Sequence, residues 1–153
     1  MLHQKINNKL FIEESTQFLK KIAVDSIVSN KHAAALISNN MIYSFGTNKF
    51  LKEIKINNES YYKTMHAEIT VFEKLPKRKF AGMDILVIRV NKNLVLKNSR
   101  PCNQCIEKLI KLDIRKVYYS NGEGKIVWEF VKNMEKCHIS SGTQHLFNQT
   151  CLY

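Results

Sequence analysis

The sequence predicts an α/β domain built on a mixed β-sheet, and three observations lead there. Helix-like and strand-like apolar patterns alternate along the chain. One run, MDILVIRV, lacks alternation, as a strand buried on both faces does. The last two strand-like segments, IRKVYYS and KIVWEFV, are joined only by N-G-E-G. So short a link suits an antiparallel pair, because parallel neighbours need a crossover of a dozen or more residues.

Taken in order, Phe18, Leu19, Ile22, Ala23 and Ile27 recur at helical spacing and predict an amphipathic helix from Glu13 to Ser29. AAALIS and MIYSFG flank Asn39-Asn40, residues that tolerate positive φ, so a tight hairpin is expected, with Gly46 ending its second strand. Residues 49–64, KFLKEIKINNESYYKT, are basic and aperiodic and read as a long loop. Its lysines, with Phe50, Tyr61 and Tyr62, could stack on and neutralise a nucleotide, although aromatics tucked onto the core are the simpler expectation. A short helix follows from His66 to Leu75, closed by Pro76. MDILVIRV is the buried strand, and LVLKNS a weaker return segment. Residues 102–112 form a helix with Ile106, Leu109 and Ile110 inward. In the closing hairpin Tyr118 and Tyr119 take opposite faces, one of them core and the other free to line a cavity, and Trp128 reads as a packing residue. The domain is expected to span 1–131, with 132–153 as an appended tail.

A chain of 153 residues that is 44% apolar suits a single domain with a compact core. The stretch MLHQKINNKLFIEES has no secretion-type apolar run and nothing reaches bilayer length, so a cytoplasmic protein without a membrane partner is expected. In a reducing compartment the four cysteines point to metal binding or catalysis rather than to disulfides. A formal charge of +11, from 24 basic against 13 acidic residues, attracts phosphates and polynucleotides. The excess of Lys, Asn and Ile is also that of an AT-rich coding sequence.

Two short stretches carry the chemistry, M-H-A-E at 65–68 and P-C-N-Q-C at 101–105. A C-x-x-C opening a helix sets both sulfurs on one face, one turn apart, where the helix dipole favours thiolates. Pro101 suits a helix start. Alone, the pair could be a redox dithiol, half of a structural zinc site, or two buried small residues. With His66 it makes three zinc donors and leaves the fourth position open, as in a catalytic site. Glu68 would then be the base that carries a proton. Both can face one cavity only if His66 sits at the turn into the helix and Glu68 in its first turn. Thr64 could cap that start. A capped helix with a satisfied histidine is the plain alternative.

In order, H-x-E, a strand and P-C-x-x-C form the signature of zinc nucleobase deaminases. From about Lys31 to Val131 the chain resembles the cytidine and deoxycytidylate deaminase superfamily, through the hairpin, T-M-H-A-E, the buried strand, S-R-P-C-N-Q-C and V-Y-Y-S. The resemblance implies a cytidine-deaminase-like three-layer fold, a five-stranded mixed sheet flanked by helices. It implies zinc on His66, Cys102 and Cys105, with Glu68 shuttling protons as a base amine is hydrolysed to ammonia. It further implies that the Ala67 N–H meets the base carbonyl and that Asn48, in F-G-T-N, meets the sugar or base. The closing hairpin resembles the free-nucleoside branch, yet His66 stands where that branch commonly has Cys, and Lys49 stands where it has a ribose-binding Glu. Cytosine in a nucleoside or nucleotide is the expected substrate, and cytosine in single-stranded nucleic acid the alternative. A zinc-stabilised nucleic-acid-binding module without turnover stays open, as does a homo-oligomer. Cys137, His138, His145 and Cys151 match no common zinc-finger spacing and read as a simple tail.

Overall fold

The computed structural model describes residues 2–76 and 79–137. Helix α1 (Leu2–Ala23) precedes a hairpin of β1 (Lys31–Ser38) and β2 (Met41–Thr47), then a second hairpin of β3 (Lys49–Ile56) and β4 (Glu59–Met65). Next come α2 (Ala67–Thr70), β5 (Asp84–Val90), β6 (Leu96–Lys97), α3 (Asn103–Lys111), β7 (Lys116–Ser120), β8 (Ile126–Phe130) and a 3₁₀ turn at Val131–Asn133. The main sheet runs β2-β1-β5-β7-β8, with the two residues of β6 attached to β5. It is mixed: β5 and β7 are parallel with α3 as their crossover, and β7 and β8 are antiparallel as their short link requires. Among the described residues no helix is long and apolar enough to cross a membrane.

Alternation along β1 and β5 sorts the core into two layers. Ala33, Ala35, Ile37, Leu86, Ile88 and Val90 pack towards α1, through Ile12, Leu19 and Ala23. Ala34, Leu36, Ile85 and Val87 pack the other way, against Ala67 and Val71 of the α2 segment and Ile106 and Leu109 of α3. Both faces of the central strands are thus covered, which explains why MDILVIRV lacks alternation. The alanines of β1 leave room for a close approach of helix to sheet.

Several expectations change. The first helix spans Leu2–Ala23, earlier than the Glu13–Ser29 read from periodicity, and Ile27 is 76% exposed. It stops because Asp25 and Ser26 turn back to Ile22 and Ala23, and the Lys31 ammonium donates to the Val24 carbonyl. Residues 49–64 are a hairpin, not a loop, turned by Asn57 and Asn58 at positive φ as Asn39 and Asn40 turn the first. Placement of the Tyr61 and Tyr62 rings lies outside what the structure describes. The helix expected from His66 to Leu75 is only four residues long; beyond Thr70 the bonds tighten to three-residue turns, and Ser44 Oγ donates to Val71 O. LVLKNS shrinks to the two residues of β6. Ile110 is exposed, and so is Trp128, because β8 lies beyond the reach of α1. Gly46 lies one residue inside the end of β2. Met134 packs into the core just after the closing strand, whereas His138, His145 and Cys151 of the tail lie outside the described residues.

Candidate active site

Strand β4 runs straight into α2, and the residue between them is His66. It takes the N-cap position with extended backbone (φ −73°, ψ 149°), and its carbonyl accepts from Ile69 and Thr70 N–H. That cap makes no side-chain bond, so Thr64 does not close the helix start; it is a strand residue. From these positions, two residues apart, His66 and Glu68 lie near enough for their charges to act on one another. Cys102 likewise caps α3 (φ −72°, ψ 167°), with Ile106 N–H on its carbonyl, and Cys105 sits one turn in. Pro101 therefore precedes the cap rather than opening the helix.

These elements bring three donors together. His66 Nδ1 lies 3.2 Å from Cys105 Sγ and 3.5 Å from Cys102 Sγ, and all three donor atoms fall within 4.8 Å of one another. Tetrahedral zinc, with nitrogen at about 2.0–2.1 Å and sulfur at about 2.3 Å, would hold such donors roughly 3.6–3.8 Å apart, so the triad fits the ion with small adjustments. Protonation is already polarised. The hydrogen bond with Cys102 raises His66 to about 9, against burial. Cys102 falls to about 4, chiefly because it accepts from Cys105, whose own thiol that bond and burial push up. Both sulfurs are free thiols and buried.

Glu68 is 4% exposed, in the first turn of α2. Burial lifts its carboxyl above the usual range, and the charge of His66 opposes the lift. Ala67, the first residue of α2, is fully buried in the core layer below α2 and α3.

Asn48 lies between β2 and β3 and is buried. Its Oδ1 accepts from Ser26 Oγ (2.7 Å) and from the His32 N–H (3.0 Å), and its Nδ2 donates to Asn30 O (2.6 Å). It thereby ties residues 26–32, which lead into β1, to the junction of β2 and β3. Lys49 is occupied otherwise, in a 2.7 Å ion pair with Glu73.

Four contributors were not evident from the sequence. Ser99 anchors the loop carrying Cys102: its Oγ donates to Val87 O (2.8 Å), meets Ser120 Oγ (2.7 Å), and accepts the Ser120 N–H (2.8 Å). Arg100 bonds Glu129 (3.0 Å) and the Glu135 carbonyl (3.0 Å), and Tyr119 donates to the same carboxylate (2.6 Å). His32, on the metal-facing side of β1, is near enough to feel His66 and Cys102; burial first of all holds its imidazole down to about 4. Arg89, its cross-strand partner, extends from the same face and donates to Asn30 Oδ1. In S-R-P-C the serine and arginine were visible, but their partners lie 21 and 29 residues away.

Over residues 8–121 the chain matches the family described as cytidine and deoxycytidylate deaminase zinc-binding region. Among solved structures it is similar to the dCMP deaminase of cyanophage S-TIM5. The complex of that enzyme with dCMP and dUMP gives 18% identity and a TM-score of 0.54, covering 72% of this chain and 80% of that one. The apo form gives 19% identity and a TM-score of 0.50, covering 77% and 84%. These likenesses concern the fold. A search of curated proteins gives no significant match.

Proposed function

Since the chain belongs to the cytidine and deoxycytidylate deaminase family, we propose that it hydrolyses the ring amine of a cytosine nucleotide, with His66, Cys102 and Cys105 holding zinc and Glu68 carrying the proton. One observation carries this reading: a buried carboxyl with a raised pKa stands two residues from the histidine of a three-donor cluster. A purely structural zinc site uses four protein donors and needs no proton carrier. When bound, zinc would supply the Lewis acidity that makes water nucleophilic near neutral pH.

The protein's own groups divide the remaining work. Glu68 would take one proton from water and deliver it to the ring nitrogen, then take the second from the hydroxyl added to the ring carbon and pass it to the departing amine, so water is consumed, a ring carbonyl forms and ammonia leaves. Ala67, through its N–H at the start of α2, would orient the base carbonyl. Asn48 has one amide hydrogen committed to Asn30, which leaves the second for the sugar or base. Support for a nucleotide rather than a nucleoside comes from the cyanophage enzyme, solved with dCMP and dUMP. The phosphate would be met by Arg89, which the strand register places opposite His32, and not by Lys49, which Glu73 neutralises.

Ammonia release from deoxycytidine, dCMP and a cytosine-containing oligonucleotide tests the proposal. Turnover is expected with dCMP. Glu68→Gln should keep one zinc per chain and lose roughly 10²–10⁴-fold in kcat. A zinc-loaded Glu68→Gln protein at full activity, or no ammonia from any of the three, would overturn it.

A further inference from the structure

We propose that the exposed aromatic edge formed by β7 and β8 binds single-stranded nucleic acid, on the opposite face of the sheet from the metal cluster. Directly opposed residues of an antiparallel pair share a face, and here Trp128 faces Tyr118 while Phe130 faces Lys116. Tyr118 belongs to the core layer on the α1 side. Trp128, Phe130 and Lys116 therefore lie on that side, away from α2 and α3. Beyond the reach of α1, Trp128 is 48% exposed and Phe130 37%.

The two rings sit 5.3 Å apart at 84°, and Lys116 Nζ lies 4.1 Å from the Trp128 centroid and 5.3 Å from that of Phe130. Among the described residues no carboxylate forms an ion pair with Lys116. Beside it opens a cavity of about 430 Å³, walled by Lys116, Tyr118, Phe11, Asn40 and by Arg115, which is paired with Asp84 in the same wall, so that Lys116 is the cation left for a phosphate. That volume suits one nucleotide. It lies at the end of the sheet where β1 finishes and β5 and β7 begin, whereas the metal donors lie where β5 and β7 finish.

Neighbouring open aromatics with an ammonium between them match a strand whose bases stack while a phosphate meets the cation. The charge of +11 favours a polyanion over a second copy of this chain, which would set Lys116 against its own kind or against other positive surface. Nothing in this inference requires the deaminase reading.

Trp128 is the single tryptophan, so its emission reports on the proposed face. The zinc-loaded full chain would be titrated with a dodecamer of deoxythymidylate, which has no ring amine and is no deaminase substrate. Saturable quenching is expected, with affinity falling roughly tenfold between 50 and 200 mM NaCl for two to three phosphate contacts. Lys116→Glu should weaken binding at least tenfold while circular dichroism, zinc content and ammonia release from dCMP stay as in the parent. The proposal is overturned by unchanged emission at saturating oligomer or by quenching that Lys116→Glu leaves intact. Equal quenching by polyglutamate, or emission that shifts with protein concentration alone, as self-association would produce, overturns it too.

Discussion

A Ser99→Ala substitution removes the hydroxyl that fastens the loop before Cys102 to the sheet. Ser99 is 2% exposed and Ser120 fully buried, so water cannot take over their bonds without the loop opening. Two backbone groups lose this partner: the Ser120 N–H, which had the Ser99 oxygen at 2.8 Å, and the Val87 carbonyl, also at 2.8 Å. Ser120 Oγ keeps its bond to Lys97 O, so its hydroxyl is not orphaned. An unsatisfied buried donor costs about 1–3 kcal/mol and a lost neutral hydrogen bond about 1, which gives about 2–4 kcal/mol in total. At about 3 kcal/mol, a chain of this size should melt roughly 6–12 °C lower. The loop also aims Cys102, so zinc affinity should fall about 10–100-fold, as when groups supporting metal ligands are removed. Urea unfolding in excess chelator isolates the stability change, and competition against a chromophoric chelator reads the affinity. An apo-protein within about 0.5 kcal/mol of the parent, together with unchanged zinc affinity, would refute the anchoring role.

Gly46→Ala would press its new methyl into Thr70, whose Cβ would lie 3.1 Å away and whose Oγ1 closer still. Thr70 in turn bonds Ala67 O, so the strain enters the first turn of α2. A loss of about 1–3 kcal/mol in urea unfolding is expected, and adding Thr70→Ala should recover part of it; no recovery would place the strain elsewhere. For Glu129, burial raises the carboxyl, but the bonds from Arg100 and Tyr119 outweigh it and set the folded pKa below the ordinary value. Its contribution is therefore present above about pH 4.3 and lost as pH falls through the folded value. Glu129→Gln should cost about 1–3 kcal/mol at pH 7 and progressively less in acid; a deficit independent of pH would contradict this. Asn48→Ala should lower the melting temperature and raise KM for dCMP with zinc content unchanged, and an unaltered KM would leave Asn48 a purely structural residue.

Legibility from sequence followed the range of the interactions. His66, Glu68, Cys102 and Cys105 stood out because helix geometry relates residues two or three apart directly, and only the meeting of the two motifs needed the fold. The hairpin at Asn39-Asn40 was readable, yet that at Asn57-Asn58 was not, although the turns share one chemistry. The difference lies in the flanks: β1 is an apolar run buried on both sides, whereas β3 and β4 pair only with each other, and the brief alternation of Glu53-Ile54-Lys55-Ile56 is set among lysines and polar residues. The start of α1 was misjudged because the helix extends beyond its core-packed stretch, and its end because Asp25 and Ser26 turn back on Ile22 and Ala23. Trp128 was read as core because whether an edge strand is covered depends on how far α1 reaches. Ser99 with Ser120, and Arg100 with Glu129, are contacts over 21 and 29 residues that no local pattern reveals.

Among the described residues, four of the six non-glycine positions with positive φ are the asparagines of the two hairpin turns. Glycine is the usual occupant of such positions, and asparagine is the side chain that replaces it at least cost. Glycine-to-asparagine exchange at these corners leaves the loop length intact, and with it the register that sets Ala33 opposite Thr47 and Lys49 opposite Met65. The corners of the molecule can thus take either residue, while the histidine delivered by the second ribbon keeps its place.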